Sequence, residues 1–227
     1  LVFVVYAINL AQFPYDYDQG EGFELNDTVL LSQGQWPYRD NAVYPFYASN
    51  YPPLYHVLLV PFVWLFGPQY WYGRLAGATA TFITAAAIAY AVYRNARQRL
   101  PAILAGLAYL ASNYIYHIGP LFRQHITMVM FETLAIVLVA TIQPDDPKQP
   151  LSAGQRRALW FGLLCLLAAG FTKQLAIVTA GAFFAYLFLR NPRRALGYGL
   201  IAGLIAGAIF VALNVLTGGQ WWLNTCL

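Results

Sequence analysis

The chain has 227 residues, of which 59% are hydrophobic, 17% are aromatic and only 10% are charged. Soluble domains carry roughly 25% charged residues, so this composition excludes a water-covered globular domain and indicates an integral membrane protein. The small net charge of +4 gives no reason to expect a nucleic-acid partner, and two isolated cysteines predict neither a disulfide framework nor a metal cluster.

Apolar runs along the chain predict an all-α, polytopic transmembrane bundle of about seven spanning segments. The first run, residues 1–13, is only about half as long as a spanning helix, which favours a fragment that lacks residues at one or both ends. Small residues in 76–89, and Gly199, Gly203 and Gly207 at four-residue spacing, predict close packing between helices. The further predicted spans are 71–93, 101–118, 125–143, 158–171, 174–190 and 196–217.

A long loop, residues 14–71, separates the first two predicted spans. Loops of this length inside a compact protein are usually functional. Its last part, 52–71, holds an apolar run that is too short to cross a bilayer, is interrupted by Pro61 and is flanked by aromatic residues. This pattern predicts a helix at the membrane interface, and a short spanning helix is the alternative.

The beginning of this loop is rich in acidic residues and contains neither Lys nor Arg between residues 14 and 27. Asp18 followed three residues later by Glu21 favours a capping box at the start of a short helix that Gly34 ends. The alternative is a carboxylate that the helix start holds for catalysis or ligand binding. The other acids of this stretch are predicted to be solvated: Asp16, Glu24 and Asp27.

Three clusters of basic residues predict the orientation of the chain. The positive-inside rule assigns all three to the cytoplasm, which places the 14–71 loop, the turns at 119–124 and 171–174 and the tail 217–227 outside. The clusters are Arg94, Arg97 and Arg99; Lys148, Arg156 and Arg157; and Arg190, Arg193 and Arg194.

The remaining basic residues and the histidines all fall near the outer ends of predicted segments. Cations at a bilayer surface suit a phosphate-bearing lipid head group, and carboxylates beside them can take a proton from an attacking hydroxyl. Snorkelling or pairwise neutralisation at the interface is the alternative for any single residue. These outward groups are Arg39, Arg74, Arg123 and Lys173 with His56, His117 and His125.

Glu132 lies about two turns into the predicted span 125–143. A carboxylate inside a membrane segment is a functional candidate. No basic residue lies near it in the sequence, so we expect a protonated Glu132 that makes one hydrogen bond to another helix.

The order of several short motifs resembles that of the membrane-embedded GT-C glycosyltransferases, in particular the aminoarabinose transferase and protein O-mannosyltransferase superfamily. The resemblance covers nearly the whole chain, and its specificity lies in the order and spacing of the motifs. The motifs are DQGEG (18–22), GQWPYRD (34–40), YPPLY (51–55), FGPQYWYGRL (66–75), FTKQ (171–174) and TGGQWW (217–222).

This resemblance implies one transmembrane domain, 1–227, that is the N-terminal part of a GT-C module with a catalytic-type outer loop. It implies a multi-pass protein of the cytoplasmic membrane with an extracytoplasmic active face. The reaction implied is hexosyl or pentosyl transfer from a polyprenyl-phosphate-linked sugar, with no nucleotide-sugar site. The partners implied are this lipid donor and membrane lipids, and other membrane subunits would be partners on the second interpretation given below.

Two residues depart from the family pattern. His125 stands where relatives carry an acid, so it is either a metal ligand or a polar contact to the substrate, and a requirement for a divalent metal stays open. In the first motif the relatives carry two adjacent acids, whereas in this chain Gly20 precedes Glu21. The resemblance implies Asp18 and Glu21 as catalytic residues and Arg74, Arg123 and Lys173 as contacts to the donor phosphate.

These departures support a second interpretation, a catalytically silent GT-C-derived subunit of a larger membrane complex. A transporter is a weaker interpretation, because the predicted spans, apart from Glu132, lack the midplane charges and broken-helix pairs typical of transport sites.

Overall fold

A computed structural model describes residues 1–142 and 149–226, and the regular structure in this part of the chain is entirely helical. The predicted all-α class is therefore confirmed. Lys148, one of the residues used above to orient the chain, lies outside the described ranges. The helices are α1 (Val2–Gln12), α2 (Gln19–Ser32), α3 (Leu54–Phe66), α4 (Trp71–Ala96), α5 (Arg99–Ala111), α6 (Asn113–Ile118), α7 (Gln124–Ile142), α8 (Ala153–Thr172), α9 (Ile177–Arg190), α10 (Pro192–Leu216) and α11 (Gln220–Cys226).

The predicted number of about seven spanning helices is wrong. Within the described ranges, two helices are long and apolar enough to cross a membrane, α4 with 26 residues and α10 with 25. α1 has 11 residues, α3 and α5 have 13 each and α9 has 14, all short of the ~20 that a bilayer requires. Two helices of this kind agree with association with a membrane, while the multi-pass topology and the orientation stay predictions.

Fewer helices are long enough than predicted because a continuous apolar run in the sequence can contain a break in the helix. Ser112 adopts an extended backbone and divides the run at 101–118 into α5 and α6. A separate 3-10 turn at Gln174–Ala176 shortens the helix in the predicted span 174–190, so that α9 begins only at Ile177. The positions of the predicted segments are otherwise close to those of the helices.

α4 is the central helix of the part that positions the site, and it packs against α1, α5 and α7. A Cβ atom at Gly77 would lie 2.6 Å from the carbonyl oxygens of Gly119 and Leu121, so α4 touches the turn before α7 backbone to backbone. The predicted close packing is thus confirmed for 76–89. In α10 a Cβ atom at Gly199 would lie 3.6 Å from the Phe184 ring of α9, whereas at Gly203 or Gly207 it would meet no atom within 4 Å in the described structure.

α2 and α3 pack against each other, and the chain between them folds back over α2. Gly34 ends α2 as predicted, with φ +72° in the left-handed region that favours glycine. Trp64 of α3 donates from its indole nitrogen to the carbonyl oxygen of Ser32 at 2.9 Å. The 13-residue length of α3 confirms a short helix in 52–71.

Glu132 of α7 accepts a hydrogen bond from the hydroxyl of Thr179 in α9 at 2.6 Å. The predicted hydrogen bond between helices is therefore confirmed, and it links the two elements beside the α7–α8 core. That core contains Ala135, Val139, Leu159, Leu163, Phe183 and Leu187.

Candidate functional site

α2 begins after Asp18 as predicted, but the predicted capping box is absent. Asp18 is the N-cap residue with an extended backbone, yet its carboxylate makes no hydrogen bond to the first turn of α2. Its Oδ2 atom instead accepts from Nε of Arg123 at 2.9 Å and also from Nη2. Glu21 accepts from the backbone N–H of Tyr17 at 3.1 Å rather than from Asp18. The carboxylates of Asp18 and Glu21 therefore bond to arginines from distant segments instead of capping α2.

Glu21 and Arg74 form an ion pair in which neither side chain has exposed surface. Nε of Arg74 donates to Oε1 at 3.0 Å, and Nη2 donates to Oε2 at 2.6 Å. The backbone N–H of Phe122 also donates to Oε1, at 2.7 Å. The other guanidinium hydrogen bonds go to the carbonyl oxygens of Leu10, Phe13 and Tyr15.

This buried pair joins α1, the start of α2, α4 and the turn before α7. All the hydrogen bonds just described are intramolecular, and no surface of Glu21 or Arg74 is left for a ligand in this arrangement. The geometry gives both residues a structural role, although the sequence suggested a base and a phosphate contact.

The Asp18–Arg123 pair lies in different surroundings, with 35% of the Asp18 side chain and 21% of the Arg123 side chain exposed. Both residues line a cavity of about 140 Å³ together with His125. Three of the six residues that the sequence singled out therefore share one cavity. The two bonds from Arg123 go to Oδ2 of Asp18, and no donor to Oδ1 is found among the described residues.

Lys173, between α8 and α9, is only 7% exposed, and its Nζ atom lies 5.0 Å from the centre of the Tyr51 ring. The two arginine–carboxylate ion pairs and the two histidine–carboxyl contacts found within 1–142 and 149–226 do not include Lys173. Burial lowers the pKa of Lys173, Glu24 opposes that shift, and Arg123 adds to it. Lys173 is thus a buried cation near a second cation, without a carboxylate in direct contact.

The other acids of this stretch were predicted to be solvated. The prediction is confirmed for Asp16, which is exposed, and it is wrong for Glu24 and Asp27, each only 3% exposed. α2 turns its polar face inward, while Phe23 on another face is 56% exposed. The buried residues Glu21, Glu24, Asp27 and Thr28 follow three- and four-residue spacing, which places them on one side of a helix. That spacing was the available signal, and a hydrophilic stripe is normally read as the solvent-facing side.

Glu24 faces His56 of α3, with 3.3 Å between Oε2 and Nε2, and the two atoms do not make a well-aligned hydrogen bond. Thr28 donates its one proton to the carbonyl oxygen of Glu24 at 2.8 Å, so it accepts from Nδ1 of His56, 3.2 Å away. His56 therefore carries its proton on Nδ1 and a lone pair on Nε2. An ionised carboxylate at Glu24 would repel that lone pair. Burial, followed by the charge of Asp27, raises the pKa of Glu24 to about 8, and burial lowers that of His56 to about 4. We therefore describe them as a neutral acid beside a neutral imidazole.

Several further polar atoms near Lys173 and Arg123 are buried without a hydrogen-bond partner in the described structure. Gln124 has no exposed surface, and both its amide oxygen and its amide nitrogen are unpaired. Nδ1 of His125 and the hydroxyl of Thr172 are unpaired as well. Folded proteins contain few such atoms, and they often belong to a site that binds a ligand.

No group of three or more His, Cys, Asp and Glu side chains in the described ranges is arranged to hold a metal ion. The arrangement around His125 therefore offers no support for its role as a metal ligand, and a polar contact to the substrate stays a prediction.

Comparison with protein families, with curated proteins and with solved structures found no match for this chain. The resemblance to GT-C glycosyltransferases accordingly stays a prediction. Any functional proposal has to start from the side-chain chemistry around Asp18, Arg123 and Lys173.

Proposed function

We propose that this protein is an integral membrane glycosyltransferase that moves a sugar from a polyprenyl-phosphate donor to an extracytoplasmic acceptor. The observation that carries the proposal is the buried Lys173, which forms no ion pair among the described residues and whose pKa the charge of Arg123 lowers. A buried charge without a partner costs several kcal/mol, and a bound anion would offset that cost. The phosphate of a lipid-linked sugar is an anion of this kind, and basic side chains are common partners of phosphate.

In this proposal the leaving phosphate contacts Lys173 and Arg123, and Asp18 is the general base. The acceptor hydroxyl oxygen attacks the anomeric carbon of the donor sugar, while its proton passes to Oδ1 of Asp18. The bond between the anomeric carbon and the phosphate oxygen breaks, and the phosphate leaves with the electron pair. Asp18 is preferred to Glu21 as the base because it is partly exposed and Arg123 donates only to its other oxygen.

The test is binding of undecaprenyl phosphate to the full chain in lipid nanodiscs, with undecaprenol as the control for the chain and inorganic phosphate as the control for the anion. Lys173→Gln removes the charge and keeps most of the side-chain length. Hydrogen bonds to charged groups contribute about 1.5–3 kcal/mol, so we expect an affinity loss of about 10- to 150-fold. Arg39→Gln, at a half-buried residue whose guanidinium bonds to Gln35, is the matched control and should bind like the parent.

Equal affinity for undecaprenyl phosphate and undecaprenol would contradict the proposal, as would an unaffected Lys173→Gln variant. Transfer is then measured from an undecaprenyl-phosphate-linked sugar. Lipid-phosphate binding without transfer, together with stable co-purification of other membrane proteins, would favour the catalytically silent subunit instead.

A further inference from the structure

A second, larger cavity lies between α2, the 41–51 segment and α11, and we call it the loop cavity. Its volume is about 580 Å³, which is in the range that proteins use for small-molecule ligands. Arg123 lines the loop cavity and also the smaller cavity that holds Asp18 and His125. The two cavities therefore share Arg123 as a lining residue.

Two buried polar atoms in the lining of the loop cavity have no hydrogen-bond partner among the described residues. These are Oε2 of Glu24 and Oγ of Ser49, in side chains of residues that are each 3% exposed. The Ser49 hydroxyl is close enough to Asp27 to influence its carboxyl, but it does not form a well-aligned hydrogen bond. An unpaired buried polar atom costs about 1–3 kcal/mol, so a hydrogen-bonding ligand would relieve a cost that the empty cavity carries.

The charges of the lining disfavour an anionic ligand and a cationic one. Asp27, whose pKa of about 6 leaves it ionised at neutral pH, disfavours an anion, whereas Arg123 disfavours a further cation. The loop cavity thus has a different preference from the surroundings of Lys173. A neutral ligand fits both constraints.

The remaining lining groups suit a ligand that is rich in hydroxyl groups. Asn50 contributes an amide, which donates and accepts, and Asn224 contributes its amide oxygen, since its Nδ2 donates to the carbonyl oxygens of Arg39 and Gln220. Carboxyl oxygens accept from hydroxyls. Tyr47 donates to Asp27 at 2.6 Å and stacks on Phe23, with ring centres 5.6 Å apart and planes at 7°. Such rings offer apolar surface to a sugar, and the Tyr47 hydroxyl adds a polar handle at the same wall.

We propose that the loop cavity binds a neutral carbohydrate, with Asp27 and Ser49 in contact with its hydroxyl groups. The identification of this carbohydrate as the glycosyl acceptor rests on the proposed function, because only that reaction requires an acceptor hydroxyl near Asp18. The binding itself does not depend on the reaction.

The experiment titrates the full chain, in detergent and without donor lipid, with the methyl glycosides of glucose, galactose and mannose and detects binding by saturation-transfer NMR. At least one glycoside should bind at millimolar concentration. Ser49→Ala should weaken that binding severalfold, because it removes a buried hydroxyl from the lining of the cavity. Asp27→Asn should weaken it about tenfold or more. Asp40→Asn, at an exposed acid of the same loop, is the matched control.

Absence of binding for all three glycosides would overturn the inference, and so would Ser49→Ala and Asp27→Asn variants that bind like Asp40→Asn. Displacement of the glycoside by inorganic phosphate would also overturn it, because the loop cavity would then be an anion site. Glycoside binding without sugar transfer contradicts the proposed function alone. Sugar transfer without glycoside binding contradicts this inference alone.

Discussion

Asp18 and Glu21 lie in the same turn at the start of α2, and each pairs with an arginine from a distant segment. Glu21 and Arg74 have no exposed side-chain surface, and the Glu21 carboxylate accepts four hydrogen bonds from within the protein. Asp18 and Arg123 keep 35% and 21% of their side chains exposed and line a cavity. The number of donors around each carboxylate therefore separates a structural acid from an acid that can react.

The energetic consequences of the two pairs differ for the same reason. Removing one partner of a buried ion pair leaves an uncompensated charge in a medium where that charge is expensive. Removing one partner of a partly exposed pair leaves a charge that water can solvate, and such pairs contribute about 0–1 kcal/mol. Stability and activity should consequently respond to different members of the same acidic stretch.

The largest expected effect is on stability and comes from Arg74→Ala. This substitution leaves Glu21 charged and buried and removes donors from three carbonyl oxygens, so unfolding should become easier by about 3–5 kcal/mol or the protein should fail to accumulate. The measurement is folded yield and the thermal unfolding midpoint in detergent. Arg39→Ala is the control, since its guanidinium makes an exposed hydrogen bond to Gln35. A stable Arg74→Ala protein would show that the buried pair does not hold these segments together.

Asp18→Asn should have the opposite profile. The change in stability should stay below about 1 kcal/mol because the pair with Arg123 is partly exposed. Sugar transfer should fall by about 10²- to 10⁴-fold, since an amide cannot take the proton of the acceptor hydroxyl. The assay compares initial rates at saturating donor, with Asp16→Asn as the control at an exposed acid two residues away. Unchanged rates in Asp18→Asn would remove Asp18 from the reaction.

Gly20→Ala tests whether the position of Arg123 matters independently of its charge. A Cβ atom at residue 20 would lie 1.8 Å from Cζ of Arg123, so the guanidinium has to move away from Asp18. The end of a long side chain moves at little cost, and alanine favours a helix, so stability should hold or rise slightly. Misplacing a group at the site by about 1 Å can lower the rate of transfer by about 10²-fold. Gly22→Ala, where the new Cβ would approach Asp16 at 3.1 Å, should keep the parent rate.

The contact at Gly20 gives a physical reason for the glycine at this position. The guanidinium of Arg123 occupies the space that a side chain on residue 20 would need. The pairing of Asp18 with Arg123 joins residues 105 positions apart, which no local pattern can predict. The sequence did single out both residues as candidate site residues, but it could not say which acid meets which arginine.

The positions of the helices were predictable because the signals for them are local. Apolar runs located α4 and α10, and Gly34 located the end of α2. Burial was not predictable in the same way, because it depends on which face of α2 the rest of the chain covers. Glu24 is the clearest case, since an acid in an acidic stretch was expected in solvent and lies beside His56 instead.

Glu24 extends the comparison to a third carboxylate of α2, which is buried like Glu21 but has no arginine partner in the described structure. Burial raises its pKa from 4.5 to about 8, so between these values the folded protein retains a proton that the unfolded chain releases. Stability from this group is therefore full below pH 4.5 and declines as the pH rises toward 8. The lowered pKa of His56 makes its contribution to stability rise with pH between about 4 and 6.5. The contribution of Asp27, whose pKa is raised, falls with pH only up to about pH 6.

Between pH 6.5 and 8 the contributions of His56 and His125 level off, and release of the Glu24 proton should lower the free energy of unfolding by up to about 1.4 kcal/mol per pH unit. Glu24→Gln has no proton to release, so its unfolding midpoint should be nearly constant across the window. Asp40→Asn should show the parent slope, because Asp40 is exposed. A Glu24→Gln protein with the parent slope would mean that another group titrates in this range. Glu24 would then be ionised at neutral pH, stabilised by the charges of Arg123 and Lys173, which both lower its pKa.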